Sequence, residues 1–166
     1  MVAIKTSEEI ATMKVAGKIL ARVIREVSDA AREGISLKEL DVLANTLIKK
    51  AGCLPAFLGY KPHGATKAYP ATICASVNEV VVHAVPTDYL LREGDILKLD
   101  FGIIYPPKNG FYVDSAVTIP IGKIKKEEEL LIKTTREALY KGIEKAHPGK
   151  WLGDIGHAIQ KHVEKH

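Results

Sequence analysis

The stretch "GDILKLDFGIIYPPKNGFYVDSAVTI", residues 94–119, decides how this chain is read. Two runs rich in Ile, Leu, Phe, Tyr and Val flank the turn cluster "YPPKNG" at 105–110, the pattern of a β-hairpin with a loop of several residues. Each run also carries one aspartate, Asp100 and Asp114. Strand-like segments of this composition head for a sheet, where an unpaired carboxylate is costly. The two aspartates are symmetric about position 107, inside the loop. Simple register therefore puts them opposite each other on one face, with Cβ atoms roughly 5 Å apart. Like charges placed that way repel. One carboxylate can hold a proton, each can find its own Lys or Arg, or a cation can sit between them. Oxygen donors suit hard or borderline divalent ions such as Mg, Mn, Fe or Co, and a pair on one hairpin can hold one ion or help bridge two.

The rest of the chain has the balance of a globular protein. Of 166 residues, 46% are hydrophobic and 27% charged, enough for one ordinary domain with a core, and the expectation is a single domain over 1–166. The net charge of +4 is spread along the chain, which points to solvation before any acidic partner, and no specific nucleic acid is expected. Cys53 and Cys74 have neither a metal-type spacing nor the number for a disulfide framework, so a reducing, cytoplasmic setting is expected. The opening "MVAIKTSEEIATMK" has charges where a signal peptide needs an apolar run, and no stretch approaches the roughly 20 apolar residues that span a bilayer.

Residues 7–33 read as an amphipathic helix, with Ile10, Met13, Leu20, Ile24 and Val27 on one face and a capping box from Thr6 and Glu9. Ser36 and Glu39 repeat that signal for a second helix, which carries Leu37, Leu40, Leu43, Leu47 and Ile48 and ends near Gly52. From Pro55 to about Ile121 the chain reads as several strands joined by turns. A third helix starts near Lys126 and stops before Pro148; a fourth begins around Gly153 and runs off the end without a cap. Two helices, a sheet and two more helices make an α+β protein.

Three separated segments carry a resemblance. "SVNEVVVHAVP" (76–86), "GDILKLDFG" (94–102) and "GFYVDSAVT" (110–118) resemble the type I methionine aminopeptidases, and "IKTSEEIATMKVAGKIL" and "LGDIGHAIQKHVE" are similar to that family at matching places. The resemblance implies the pita-bread fold, whose first half is an antiparallel sheet with helices packed on one face. It also implies removal of an initiator methionine that precedes a small residue, at a site holding two divalent ions (Co, Mn, Fe, Zn or similar). Carried across by motif, Asp100 and Asp114 become metal ligands, with Asp114 bridging. His83 becomes the histidine that contacts substrate and stabilises the tetrahedral intermediate. Cys74, Tyr60 and Tyr69 fall where the family lines its methionine pocket, and Phe57 stands where many members have a cysteine. The segment "KPHGATKAY" (61–69) is longer than the family pattern.

The family's remaining metal ligands, a histidine and two glutamates, come from its C-terminal half, and this chain stops before them. The expectation is therefore an N-terminal portion with weak or incomplete metal binding and little peptidase activity by itself. His157, His162 and His166 lie in a segment that carries no ligands in the family and are read as solvent-facing. The implied partners are a peptide or nascent polypeptide with an N-terminal Met, the ribosome, and a C-terminal half or a second copy; no membrane is expected. The alternatives are a non-catalytic binding module that keeps half of a peptidase fold, and a proline-specific relative.

Overall fold

The computed structural model describes residues 4–165. Within it the chain forms two compact units, Met1–Lys123 and Ile124–His166, each with its own packing.

In the first unit, helix α1 (Ser7–Ala30) starts at the expected capping box: the Thr6 hydroxyl accepts from the Glu9 backbone N–H, and the Glu9 carboxylate accepts from the Thr6 N–H. Helix α2 (Leu37–Lys50) repeats the device with Ser36 and Glu39. Both ends fall short of the sequence expectation, at Ala30 rather than residue 33 and at Lys50 rather than Gly52. Four strands follow: β1 (Leu54–Pro55), β2 (Ile73–Val77), β3 (Ile96–Tyr105) and β4 (Phe111–Pro120). β4 runs antiparallel along the whole of β3, while β2 pairs with its residues 97–101 and β1 with 103–104 on the other edge. β3 is thus the central strand.

The side-chain period of two sorts β3 into a core face and a site face. Leu97, Leu99, Phe101 and Ile103 are fully buried and form the core with Ile73 and Ala75 of β2, Leu20, Val23 and Val27 of α1, and Leu37, Leu40, Ala44 and Ile48 of α2. Both helices pack on this one face, as expected. Lys98, Asp100 and Gly102 alternate with the core residues and so point to the opposite face, with Cys74 and Ser76 of β2.

The hairpin register corrects the symmetric pairing. Asp100 lies opposite Ala116 and Asp114 opposite Gly102, so the turn is centred on Lys108. The five-residue connection 106–110 is set by its backbone: Asn109 takes a left-handed φ of 56°, and a Cβ at Gly110 would lie 1.9 Å from the Pro106 carbonyl oxygen. One extra residue on the far side of the turn shifts the ladder by two. The aspartates remain on one face but as diagonal neighbours, with Cβ atoms about 7 Å apart rather than 5 Å. That spacing leaves room for a cation between the carboxylates.

Asp95, just before β3, is buried and organises the approach to the sheet. Its carboxylate accepts from the Arg92 N–H (2.9 Å), the Tyr89 hydroxyl (3.0 Å) and the Asn78 side-chain amide (2.9 Å). Asn78 in turn accepts from the Ile96 N–H at 2.9 Å, and its carbonyl accepts from the Lys98 ammonium. This network holds the left-handed turn at Asn78 (φ 52°), from which the irregular segment carrying His83 departs.

In the second unit, α3 (Lys126–Ile143) and α4 (Leu152–Val163) pack against each other, with Ile155 and Ile159 of α4 against Gly142 of α3. α4 runs to Val163, and Glu164 keeps a right-handed helical backbone, its N–H donating to the Gln160 carbonyl at 2.9 Å. His157 is exposed, as expected, and His166 lies outside the described residues. His162 is a correction: its side chain is only 17% exposed and its Nε2 lies 3.2 Å from the Glu137 carboxylate of α3. The helical period turns it toward α3 rather than to water. Among the described residues no helix is long and apolar enough to cross a membrane.

Burial pushes the Asp95 carboxyl up, but the bonds from Arg92, Asn78 and Tyr89 and the Arg92 charge together hold it below the usual carboxylate range. Asp95→Asn is expected to lower the unfolding free energy by about 1–3 kcal/mol near neutral pH. Because the folded pKa is depressed, this contribution is present above the pKa of an unfolded aspartate and is lost as pH falls toward the folded one. Urea unfolding of both proteins should show the gap shrinking between about pH 5 and pH 3.

Candidate metal and substrate site

A pocket of about 630 Å³ opens in the first unit on the face of the sheet away from its core. Tyr60, Tyr69, Cys74, His83, Asp100 and Asp114 all line it. Every residue singled out from the sequence as a site candidate therefore meets the others in one concavity, although they span 55 positions of chain.

The floor is the site face of the sheet. Cys74 of β2 is the cross-strand partner of Asp100, and the diagonal register brings Asp114 beside it. Burial, and then the Asp114 charge, push the Asp100 carboxyl above the usual range, with His83 opposing; burial also raises Asp114. Two carboxylates on this floor resist ionising together, and a cation held by both would remove that penalty. Their oxygen donors fit a hard or borderline divalent ion. They make only part of a coordination shell, since among the described residues no three His, Cys, Asp or Glu side chains gather around a common point.

The start of β2 is fixed by Asp41 of α2, whose carboxylate accepts from the backbone N–H groups of Thr72 (2.8 Å) and Ile73 (2.9 Å). Burial pushes the Cys74 thiol up, which keeps it neutral near pH 7. Tyr69 stands beside it, its hydroxyl directed at the carbonyls of Ile73 and Ala84, each at 3.0 Å. Burial, with the Cys74 thiol next to it, drives the Tyr69 phenol far up, so it remains a donor.

His83 reaches the pocket from the irregular segment after β2. The Ala75 N–H donates to the Ala84 carbonyl at 3.0 Å, and the Ala84 N–H to the Ser76 hydroxyl at 3.3 Å, which ties this segment to the strand. His83 itself is exposed and takes a left-handed φ of 62°, costly for a residue with a Cβ. That backbone brings the imidazole to the pocket wall, close enough to Asp100 to oppose the rise of its carboxyl.

The other wall is built by the chain between residues 56 and 70. Ala56 donates to the Gly102 carbonyl at 2.9 Å, which lays Phe57 across β3; a Cβ at Gly102 would come within 2.6 Å of the Phe57 ring. Phe57 meets Tyr69 edge to face, with ring centroids 6.4 Å apart. Gly59 N–H to Tyr69 carbonyl (2.9 Å) and Tyr69 N–H to Tyr60 carbonyl (2.8 Å) close a neck, so 61–68 is a loop standing on the pocket rim. Pro62, Ala65, Lys67 and Ala68 of that loop line the pocket. The matched tyrosines at either end of "YKPHGATKAY" were the available signal, for paired ends make the intervening residues a projecting loop.

Comparison with known proteins identifies the family. Residues 11–166 match the model of metallopeptidase family M24, and the chain belongs to that family. Among the relatives it matches are methionine aminopeptidases. It is 42% identical over 164 residues to methionine aminopeptidase 1 of Bacillus subtilis, covering 99% of this chain and 62% of that protein. It is 41% identical over 162 residues to the Aquifex aeolicus enzyme, again covering 62% of the relative. The crystal structure of methionine aminopeptidase from Rickettsia prowazekii superposes with a TM-score of 0.92 at 35% identity, covering the whole of this chain and 63% of that one. A prolidase from Pyrococcus horikoshii shares the fold, with a TM-score of 0.82 at 19% identity. The chain thus spans about three fifths of the length of its methionine aminopeptidase relatives.

The left-handed backbone at His83 separates two substitutions. His83→Gly and His83→Ala remove the same imidazole, but only glycine reaches φ 62° without strain. Urea unfolding should find the glycine variant more stable than the alanine variant by about 1 kcal/mol.

Proposed function

We propose that this chain supplies the methionine pocket and two of the metal ligands of an aminopeptidase that removes an N-terminal methionine when the next residue is small. The observation that carries this reading is the convergence of Asp100, Asp114, Cys74 and His83 on one pocket, on a chain whose relatives at 35–42% identity are methionine aminopeptidases.

The roles follow from the chemistry of each side chain. Phe57, Tyr60, Tyr69 and Cys74 form an apolar slot with a sulfur, suited to a thioether side chain. Asp100 and Asp114 would hold the divalent ions together with a histidine and two glutamates from outside this chain. When bound, the ions polarise the scissile carbonyl and provide a water acidic enough to attack it near neutral pH. His83 donates a hydrogen bond to the oxygen that gains charge as the carbonyl carbon becomes tetrahedral. Tyr69, held protonated, and the neutral Cys74 thiol take no part in proton transfer and keep the slot apolar. The two free cysteines suit a reducing cytoplasm.

The 166-residue chain alone is expected to bind Mn²⁺ weakly, through Asp100 and Asp114, and to release little or no methionine from a Met-Ala-Ser peptide. A chimera in which the part of the Bacillus subtilis relative not covered by this chain completes the ligand set should release methionine in a metal-dependent way. In that chimera Asp114→Asn should lower kcat/KM at least about 10²-fold, and His83→Ala about 10²- to 10³-fold, mainly in kcat. A folded chimera that binds Met-peptides with no metal dependence and no turnover would instead mark the chain as a binding module.

A further inference from the structure

The second unit contains a concavity that the aminopeptidase reading does not use. It has a volume of about 420 Å³ and lies between the end of α3, the turn that follows, and α4. Lys141, Lys145, Lys150, Lys161 and Lys165 line it, with His157 and His162, against only Glu144 and Asp154. Both acids are already engaged. Glu144 lies 3.5 Å from the Lys141 ammonium, and the Asp154 carboxylate accepts from the Trp151 N–H at 2.9 Å, at the start of α4. His162 is held by Glu137. Among the described residues no carboxylate lies within ion-pair distance of Lys145, Lys150, Lys161 or Lys165.

Isolated lysines on a helix are ordinary solvation, and lysines near a helix C-terminus also interact with its dipole. Neither accounts for this arrangement. Three chain segments bring like charges to one recess, where their mutual repulsion opposes folding and their summed potential attracts an anion. Of the two acids in the recess, Glu144 pairs with Lys141 and Asp154 is turned to the Trp151 N–H, which leaves the other four lysines without a carboxylate at ion-pair distance among the described residues. We infer that this recess binds a compact, multiply charged phosphate ligand, an oligophosphate chain of the kind found in pyrophosphate and triphosphate groups.

Shape and composition favour that ligand over single-stranded nucleic acid. Sites for nucleic-acid strands combine an extended basic track with aromatic side chains on which bases stack. This recess is local, and among the described residues no Phe, Tyr or Trp lines it. Ammonium groups recognise phosphate as point charges without demanding a particular orientation, which suits a short flexible phosphate chain. The inference is independent of the peptidase reading, because none of these residues lies in the first unit.

Isothermal titration of the 166-residue chain with sodium tripolyphosphate at about 50 mM salt tests it. One-to-one binding is expected, weakening steeply as salt is raised. The double variant Lys145→Glu/Lys161→Glu changes two exposed side chains and should reduce affinity at least tenfold while leaving the circular dichroism unchanged. Lys14→Glu/Lys18→Glu on α1 removes the same net charge elsewhere and should leave affinity within about twofold at this ionic strength. Absence of binding by the unmodified chain, or equal loss in both double variants, would overturn the proposal. Citrate binding as tightly as tripolyphosphate would remove the preference for phosphate, and an oligouridylate binding more tightly would replace the compact ligand by a nucleic-acid strand. Binding of tripolyphosphate with loss confined to the Lys145/Lys161 pair supports the site.

Discussion

The antiparallel register of β3 with β4 is the constraint on which the first unit depends. β3 is hydrogen-bonded along both edges and buried on one face by α1 and α2. A shift of one residue would carry Leu97, Leu99, Phe101 and Ile103 out of the core and drive Lys98 and Asp100 into it. The hydrophobic effect therefore holds the register in place, and the aspartates inherit their position from the leucines beside them. The same constraint explains how carboxylates tolerate a strand of this composition, because they occupy the face that the core does not need.

A pocket then forms because chain on either side of the sheet returns to that face. Gly102 has no side chain, so Phe57 can lie against β3 opposite Asp114. Asp41 fixes the start of β2, and the Asp95–Asn78 network fixes the turn beyond its end, so Cys74 and His83 are held from both sides. Electrostatically the floor is under tension: burial and mutual repulsion raise Asp100, and burial raises Asp114. Among the described residues no Lys or Arg lies within ion-pair distance of either, so that tension is not relieved by a salt bridge. The second unit has the inverse imbalance, with lysines in excess of available acids around a recess of its own.

Much of this was legible in the residues. The capping boxes at Thr6/Glu9 and Ser36/Glu39 are local devices, formed within one helical turn, and sequence spacing alone located both helix starts. Helix ends were less legible, because α1 stops at Ala30 while its apolar period could continue. Alternation about "YPPKNG" gave the hairpin and placed both aspartates on one face, but not the register, since the conformations of Asn109 and Gly110 decide how many residues the turn consumes. His162 reads as solvent-facing in sequence but turns toward Glu137, because its surroundings depend on how α4 rotates against α3.

By itself, then, the sequence determined the α+β plan, the hairpin, the two aspartates as a pair and the family to which the chain belongs. Each rests on periodicity or on residues close in the chain. Only the tertiary structure decided that the aspartates are diagonal rather than opposite and that His83 sits at a strained backbone. It also turned the segment 61–68 from an awkward insertion into a pocket wall, and a diffuse positive charge into a basic recess. These features depend on distances between residues far apart in sequence, and such distances exist only once the core has closed.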